Sequence, residues 1–472
     1  MAIAALREAV LRDPRSPVAH GQLAMALRGT DDPAAWREAV AHLEKAVALA
    51  PDMIAAQVNL AVLRHHVGAP DEAVAAEIAR ALRLDDHDPE IWTDAAVTLH
   101  DRGRFAQALA AARRALCLAP DLAPAAHVHA ETVGALRGPG PALAWFDRLV
   151  RLDPASPILR IARGKMRLAA GDTAGGWADY EARRGTPAFG LPAAATGDSE
   201  PQPLAGKTVL VYPEQGFGDV LQFVRFVRPL CERAAQVWLM ARPELHALLV
   251  GLEGCDGRLS IVSPESVSAL RPDLMLPVMS LPRLLGLVPD GRRYLTVADV
   301  QRERWRQALD GITDLRVGVC WSGNPRAQAA VVTRMTDRRR SVPFAEFGAA
   351  LAGIEGATFI SLQHAYRAGE KPSDYGIRDA SAYLRDFSDL AGLIANLDLV
   401  ITVDTAVCHL AGALGAPTWM LNRFDSCWRW ERGASATPWY GSMTILNQVE
   451  PMRWAEPLAE MVARLRALIR QR

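Results

Sequence analysis

Apolar and small residues recur three and four positions apart through the first 185 residues, the spacing that lays one face of a helix against a neighbour. The pattern breaks at Pro14, Pro51, Asp86, Pro120 and Pro154, at intervals of 34 to 37 residues, and so predicts a row of similar helical hairpins. Residues 186–204 are rich in Pro, Gly, Ala and Ser, lack a hydrophobic period and read as a linker. Beyond them, short aliphatic runs alternate with helical stretches, the signature of parallel α/β units. Strands are predicted at 209–212, 237–240, 259–262 and 274–276 in one half. A second half follows with strands at 317–321, 359–362, a short one ending at 383–384, then 399–403 and 418–421. A last helix over 455–470 is expected to pack back across the first half.

Inside the repeats the marks keep phase. Gly103, Ala108, Ala115 and Pro120 stand where a hairpin needs a turn glycine, two small residues at the helix crossing and a stop. Trp92 opens that unit, and Gly68 with Ala73, Ala39 with Ala46 and Pro51, and Ala142 with Phe146 and Pro154 repeat parts of the pattern. The segment resembles the tetratricopeptide repeats over residues 1–185, with Trp177 and Tyr180 in a final partial unit that would cap the array. Stacked hairpins of this kind form a curved surface suited to an extended peptide or protein. The plainer alternative is that they support or dimerise the rest of the chain.

Composition narrows the function classes. Half of the 472 residues are hydrophobic and 22% are charged, enough apolar side chain for several cores and against a disordered chain. Lys+Arg and Asp+Glu balance at 53 each, and no basic-aromatic platform stands out, so nucleic acid is not an expected partner. Cys117, Cys231, Cys255, Cys320, Cys408 and Cys427 are scattered without metal-ligand spacing, which predicts reduced thiols and no zinc site. The opening MAIAALREAVLRDP is a charged amphipathic helix rather than a secretion signal, and no apolar run approaches the roughly 20 residues that span a bilayer. The expectation is a cytoplasmic protein without a transmembrane segment.

Three segments carry candidate chemistry. In ITVDTAVCHLAGALGAP, residues 401–417, a strand ends at Asp404, Asp404 or Thr405 caps the next helix, and His409 sits on its first turns. The free N–H groups and positive dipole end of such a helix can hold a diphosphate, although an Asp-Thr pair is also an ordinary cap and His409 an ordinary core residue. In YPEQGFGDVLQF, residues 212–223, Gly216 and Gly218 allow close approach of a ligand, and Asp219 stands at a helix start where its carboxylate can take a proton or simply cap. In WSGNPRAQAAVVTRMTDRRRSVPF, residues 321–344, Ser322, Gly323 and Asn324 follow a strand, as a donor-binding loop that touches phosphate would. Arg334, Arg338, Arg339 and above all Arg340 there supply charge that pairs with phosphate or merely with water.

PEQGFGDVLQF, WSGNP with DRRRS, DFSDLAGLIANLDLVITVDTAVCHLAGALGAP and CWRWERGASATPWY together resemble the GT-B glycosyltransferases. The likeness is to tetratricopeptide-repeat enzymes related to the heptosyltransferases and, more distantly, to the O-linked N-acetylglucosamine transferases. It implies a helical repeat solenoid followed by an α/β GT-B fold of two Rossmann-like domains. The domains expected are a repeat array over 1–185, the linker 186–204, an acceptor domain over 205–312 and a nucleotide-sugar donor domain over 313–472. It further implies that Asp219 acts as base on the acceptor side, that Asp404, Thr405 and His409 hold the donor diphosphate, that Gln363 lies near the nucleoside, and that Trp428 or Trp430 lines the cleft with Gly216 and Gly218.

Two features qualify the match. The stretch from Asn324 to Asp337 is longer than the usual loop, and it lacks the lysine that some relatives set against phosphate, so that either arginine substitutes or the donor differs. The one Asp-x-Asp triplet, Asp86-His87-Asp88, falls in a repeat turn, so no metal is expected and leaving-group charge goes to helix dipole, His409 and arginine. The expected activity is sugar transfer from a nucleotide donor to a hydroxyl, on a protein held by the repeats. Transfer to a glycolipid or polysaccharide, or a non-catalytic adaptor, are the alternatives.

Overall fold

Helix-forming runs interrupted every third of a hundred residues fold as antiparallel hairpins. The computed structural model describes residues 2–472 apart from 31, 187–199, 251, 253, 256 and 325–330, so most of the expected linker lies outside the described residues. Contacts divide the chain into two compact units, Met1–Leu149 with Arg326–Thr336, and Val150–Pro325 with Asp337–Arg472.

In the first unit, helix Ala2–Arg12 precedes the hairpins Pro17–Arg28 with Pro33–Leu49, Ile54–His66 with Asp71–Leu84, Pro89–Asp101 with Phe105–Leu118, and Ala123–Arg137 with Pro139–Leu152. Their starts are chemically marked. The side chains of Ser16, Asp32 and Asp88 accept from the N–H groups of Ala19, Ala34 and Glu90, each followed by proline at the first helical position. The Asp86-His87-Asp88 triplet is thus a helix cap in a repeat turn. Gly103 turns the third hairpin at φ +76°, a backbone region that side chains with a Cβ avoid. Ala39, Ala46, Ala108, Ala112 and Ala115 have no exposed surface, because the helices cross there too closely for a larger residue.

The second unit opens with one more hairpin, Pro157–Ala169 with Thr173–Tyr180, and a 3-10 turn Glu181–Gly185. A Cβ at Gly164 would lie 2.9 Å from the Gly176 carbonyl oxygen, so the crossing requires glycine. This hairpin does not serve only as the last repeat. Ile161, Leu168, Trp177 and Tyr180 belong to the same apolar core as Val209, Val211, Phe223 and Leu276 of the first sheet.

That sheet is parallel, in the order β3-β2-β1-β4, from β1 Thr208–Tyr212, β2 Gln236–Met240, β3 Leu259–Val262 and β4 Leu274–Pro277. The second is also parallel, in the order β10-β9-β8-β5-β6-β7, from β5 Leu315–Cys320, β6 Ala357–Ser361, β7 Arg378–Asp379, β8 Leu399–Val403, β9 Thr418–Asn422 and β10 Met443–Asn447. All five residues of β8 are buried, as expected of a central strand covered on both faces. The architecture is a helical repeat array followed by two parallel α/β sheets of GT-B type.

Four details differ from the sequence reading. The residues around Tyr383 form a 3-10 turn, Ser381–Tyr383, and the short strand is the exposed edge pair Arg378–Asp379, which shows no apolar run. The segment 443–447 adds an edge strand that was not anticipated. The stretch before Asp337, expected as a long loop, is helical over Val331–Arg340. Finally, helix Ala455–Arg470 packs on its own half, not on the first: Leu458, Met461 and Leu465 share a core with Val317, Val319, Ile401 and Leu446.

Candidate functional site

Two helices begin at the carboxyl ends of central strands, where ligands of open α/β sheets bind, one in each half. Helix Phe217–Phe223 follows β1 and helix Ala406–Leu414 follows β8, and their starts face each other. The contact explains Gly218: a Cβ there would sit 2.8 Å from His409 Cδ2 and 3.6 Å from Ala406 Cα. Asp219 and the 404–409 turn, far apart in sequence, are therefore neighbours.

Asp219 takes the capping role weighed for it at this helix start. Its Oδ2 accepts from the Gly216 N–H at 2.9 Å, and its Oδ1 accepts from the Arg429 guanidinium of the other half. The preceding Gln215 is held at φ +59°, a strained conformation, with its amide donating to the Tyr180 hydroxyl at 2.9 Å. The loop that aims Asp219 is thereby tied to the hairpin before the sheet.

His409 is 5% exposed and stacks on Trp430 with ring centroids 5.6 Å apart. Its Nδ1 lies 2.9 Å from the Tyr440 hydroxyl and its Nε2 3.7 Å from Asp404 Oδ1. A Tyr440 hydroxyl that donates to Nδ1 leaves the imidazole proton on Nε2, toward Asp404. Burial pushes the His409 pKa down to about 4, against the pull of Asp404, so the ring is neutral at pH 7. The unfolded chain binds this proton below about pH 6.5 and the folded one does not until about pH 4. Stability is therefore complete above pH 6.5 and lost as pH falls to 4, by up to roughly 3 kcal/mol for this one residue. Urea unfolding at stepped pH should show a slope in that window that a His409→Asn variant lacks; equal slopes would contradict the neutral ring.

Asp404 feels burial, which favours its neutral form, but His409, Arg340, Arg429 and Arg423 outweigh it and hold its pKa below the usual carboxylate range. Arg340 Nη1 donates to the Asp404 carbonyl at 3.0 Å while its Nε and Nη2 hold Asp337. Thr405 is the N-cap of helix Ala406–Leu414, yet its side chain makes no cap hydrogen bond, so the first N–H groups are left without that partner. Its Oγ1 lies 3.8 Å from Cys320 Sγ instead.

The loop after β5 joins the same place. Gln363 Nε2 donates to both the carbonyl and the hydroxyl of Ser322 at 2.9 Å, so this amide shapes the loop. The Gly323 N–H donates to Ser341 Oγ at 3.2 Å, and a Cβ at 323 would strike Asp337 and Arg340. Asn324 is exposed at the end of the described loop. Arg334 falls in the first unit, and Arg339 pairs with Asp425 at 3.0 Å. Trp428 packs edge-on against Trp177 and Trp439, with the Arg429 guanidinium over its ring at 4.4 Å.

Sequence reasoning passed over Arg367, Arg423, Arg429 and Tyr440. Arg367 Nη2 holds Asp337 at 2.8 Å, and Arg423 has a buried Nε without a hydrogen-bond partner. Arg429 lies inside the CWRWERGASATPWY segment, but only contact with Asp219 gives it a role. Glu214, part of the PEQGFGD run, turned out to be buried against Arg183, with paired bonds of 2.8 Å.

Residues 385–446, which hold β8, helix Ala406–Leu414, Arg423 and Arg429, match the model of glycosyltransferase family 9 (heptosyltransferase). Protein FlbA of Caulobacter vibrioides is 24% identical over 452 residues, covering 88% of this chain and 73% of its own length. Among solved structures, Pseudomonas aeruginosa pilF is similar at 18% identity over 36% of this chain and 76% of its own, with a TM-score of 0.32. A tetratricopeptide repeat protein from Parabacteroides merdae is similar at 19% identity over 39% and 71%, with a TM-score of 0.35. Among the described residues no helix is long and apolar enough to cross a membrane. The C-terminal region of this chain, behind its helical repeats, carries a match to glycosyltransferase family 9 over residues 385–446.

Proposed function

We propose that the second unit moves a sugar from a nucleotide-sugar donor to a hydroxyl of a protein recruited by the repeat array, that is, protein O-glycosylation. The observation that supports this best is the meeting of the two helix starts, which sets Asp219 beside Asp404, His409 and the first turn of Ala406–Leu414. In this reading the uncapped N–H groups of that turn receive the diphosphate, with Arg340 and Arg423 adding fixed positive charge. The acceptor oxygen attacks the sugar's anomeric carbon, the bond to the diphosphate breaks, and Asp219 takes the hydroxyl proton. Neutral His409 offers a hydrogen bond without a charge, and no metal is assigned a part.

The test is to incubate the purified protein with nucleotide sugars and candidate acceptor proteins and to read sugar addition by intact mass. Transfer should survive a chelator and fall at least about 100-fold in His409→Ala, the scale of losing an oriented donor. Full activity in both His409→Ala and Asp219→Ala would overturn the site. A second reading, transfer to a saccharide or glycolipid, draws on the heptosyltransferase description of the matched family. A chain lacking residues 1–149 separates the two: it should lose a protein acceptor and keep a saccharide one.

A further inference from the structure

Arg429 joins the two halves of the site at Asp219. Its Nη2 donates to Asp219 Oδ1, its Nε to Gln222 Oε1 at 2.6 Å and its Nη1 to Cys427 Sγ at 3.2 Å, while its plane lies over Trp428. Asp219 and Gln222 belong to the first half and Arg429 to the second. With only a tenth of its side chain exposed, it has few other places to go.

The arrangement creates a conflict. The Asp219 oxygen that Arg429 occupies is not open to a hydrogen bond from an acceptor hydroxyl. The second Asp219 oxygen is engaged by the Gly216 N–H. The helix start proposed above for the diphosphate lies beside Asp219, since even a Cβ on neighbouring Gly218 would reach Ala406 and clash with His409. A diphosphate there carries more negative charge than one carboxylate, and guanidinium pairs with phosphate oxygens as well as with carboxylate.

We infer that Arg429 is a shared positioning residue, for which Asp219 and the donor diphosphate compete, so that donor binding draws the guanidinium off Asp219 and frees its carboxylate to accept the acceptor proton. The inference rests on the donor reading of helix Ala406–Leu414. It orders the steps: the base becomes effective only after the donor has bound, which protects the site from idle chemistry. By linkage, whatever removes Asp219's claim on Arg429 must strengthen diphosphate binding.

Calorimetry on the full chain with inorganic pyrophosphate and with ADP, GDP, UDP and dTDP tests this. Asp219→Asn keeps an oxygen for the Gly216 N–H and drops the charge. It should tighten the best-bound of these probes about 5- to 10-fold while sugar transfer collapses, within the usual range of coupling between sites. Arg429→Gln should weaken the same probe about 10-fold, and Asp219→Asn should add nothing in that background. If Asp219→Asn leaves affinity unchanged or lowers it, Arg429 is not shared. If its gain persists with Arg429→Gln, simple charge repulsion explains it and the inference falls. Should Arg429→Gln fail to fold, Arg429→Met, which also removes the charge and keeps the length of the side chain, takes its place in the cycle with the same expectation. A wild-type chain that binds none of the probes overturns the donor reading itself, a result distinct from either failure of the coupling.

Discussion

Replacing Arg183 by methionine is expected to destabilise the second unit by about 3–5 kcal/mol, the cost of leaving a buried charge without its partner. Neither the Arg183 nor the Glu214 side chain has exposed surface, and the two form a paired bridge through Nε and Nη2. Arg183 also donates to Glu181 and Ser280, and Glu214 accepts the Met279 N–H at 3.0 Å. Without the guanidinium, Glu214 stays in the core unpaired, next to strained Gln215 and the loop that aims Asp219. A lower urea midpoint and a weaker sugar transfer should appear together. Arg183→Met with Glu214→Leu should recover part of the stability, since an apolar pair avoids the stranded charge. A single-variant loss below about 1 kcal/mol would show that the bridge is dispensable.

Where the chain is cut should matter even more. A protein beginning at residue 150 is expected to unfold cooperatively, whereas one beginning at residue 186 should fail to fold, although the repeat pattern in the sequence runs to 185. The later cut removes Trp177 and Tyr180, 5% and 2% exposed within the core of the first sheet. Losing a single buried large aromatic costs about 3–5 kcal/mol, and losing two is comparable to the roughly 5–15 kcal/mol that holds a typical domain. It also strips Arg183 from Glu214. Circular dichroism and gel filtration of both proteins decide the point. Two equally folded products would mean that the last hairpin is only a repeat. Deletions meant to separate acceptor recruitment from catalysis must therefore end before Val150.

Much of the architecture was legible because it rests on local periodicity. Every predicted strand except the one ending at 383–384 lies within a residue or two of an observed one, and β8 matches at both ends, because a buried parallel strand leaves an unbroken apolar run between turn residues. The repeat phase was legible for a similar reason, since Gly103 and Ala108 each report a local steric demand. β10 and helix Val331–Arg340 were less visible: an edge strand and a polar helix owe their existence to neighbours more than to their own pattern. In the site, Asp219, Gly218, Asp404 and His409 could be chosen because each follows a strand and opens a helix. The job of Gly218 could not, because its need for glycine comes from His409, 191 positions away.

Short-range chemistry, then, settled the elements and their order: which runs coil, which extend, where each stops, and that chemistry gathers at strand ends. Folding settled the partnerships. Glu214 and Arg183 are ordinary surface types whose burial together, 31 positions apart, follows from the last hairpin lying on the first sheet. Arg429 acquires its part only because the two halves bring it to Asp219, 210 positions earlier. Charge pairing depends on distance in space and on exclusion of water, and neither is encoded in the spacing of letters along a chain.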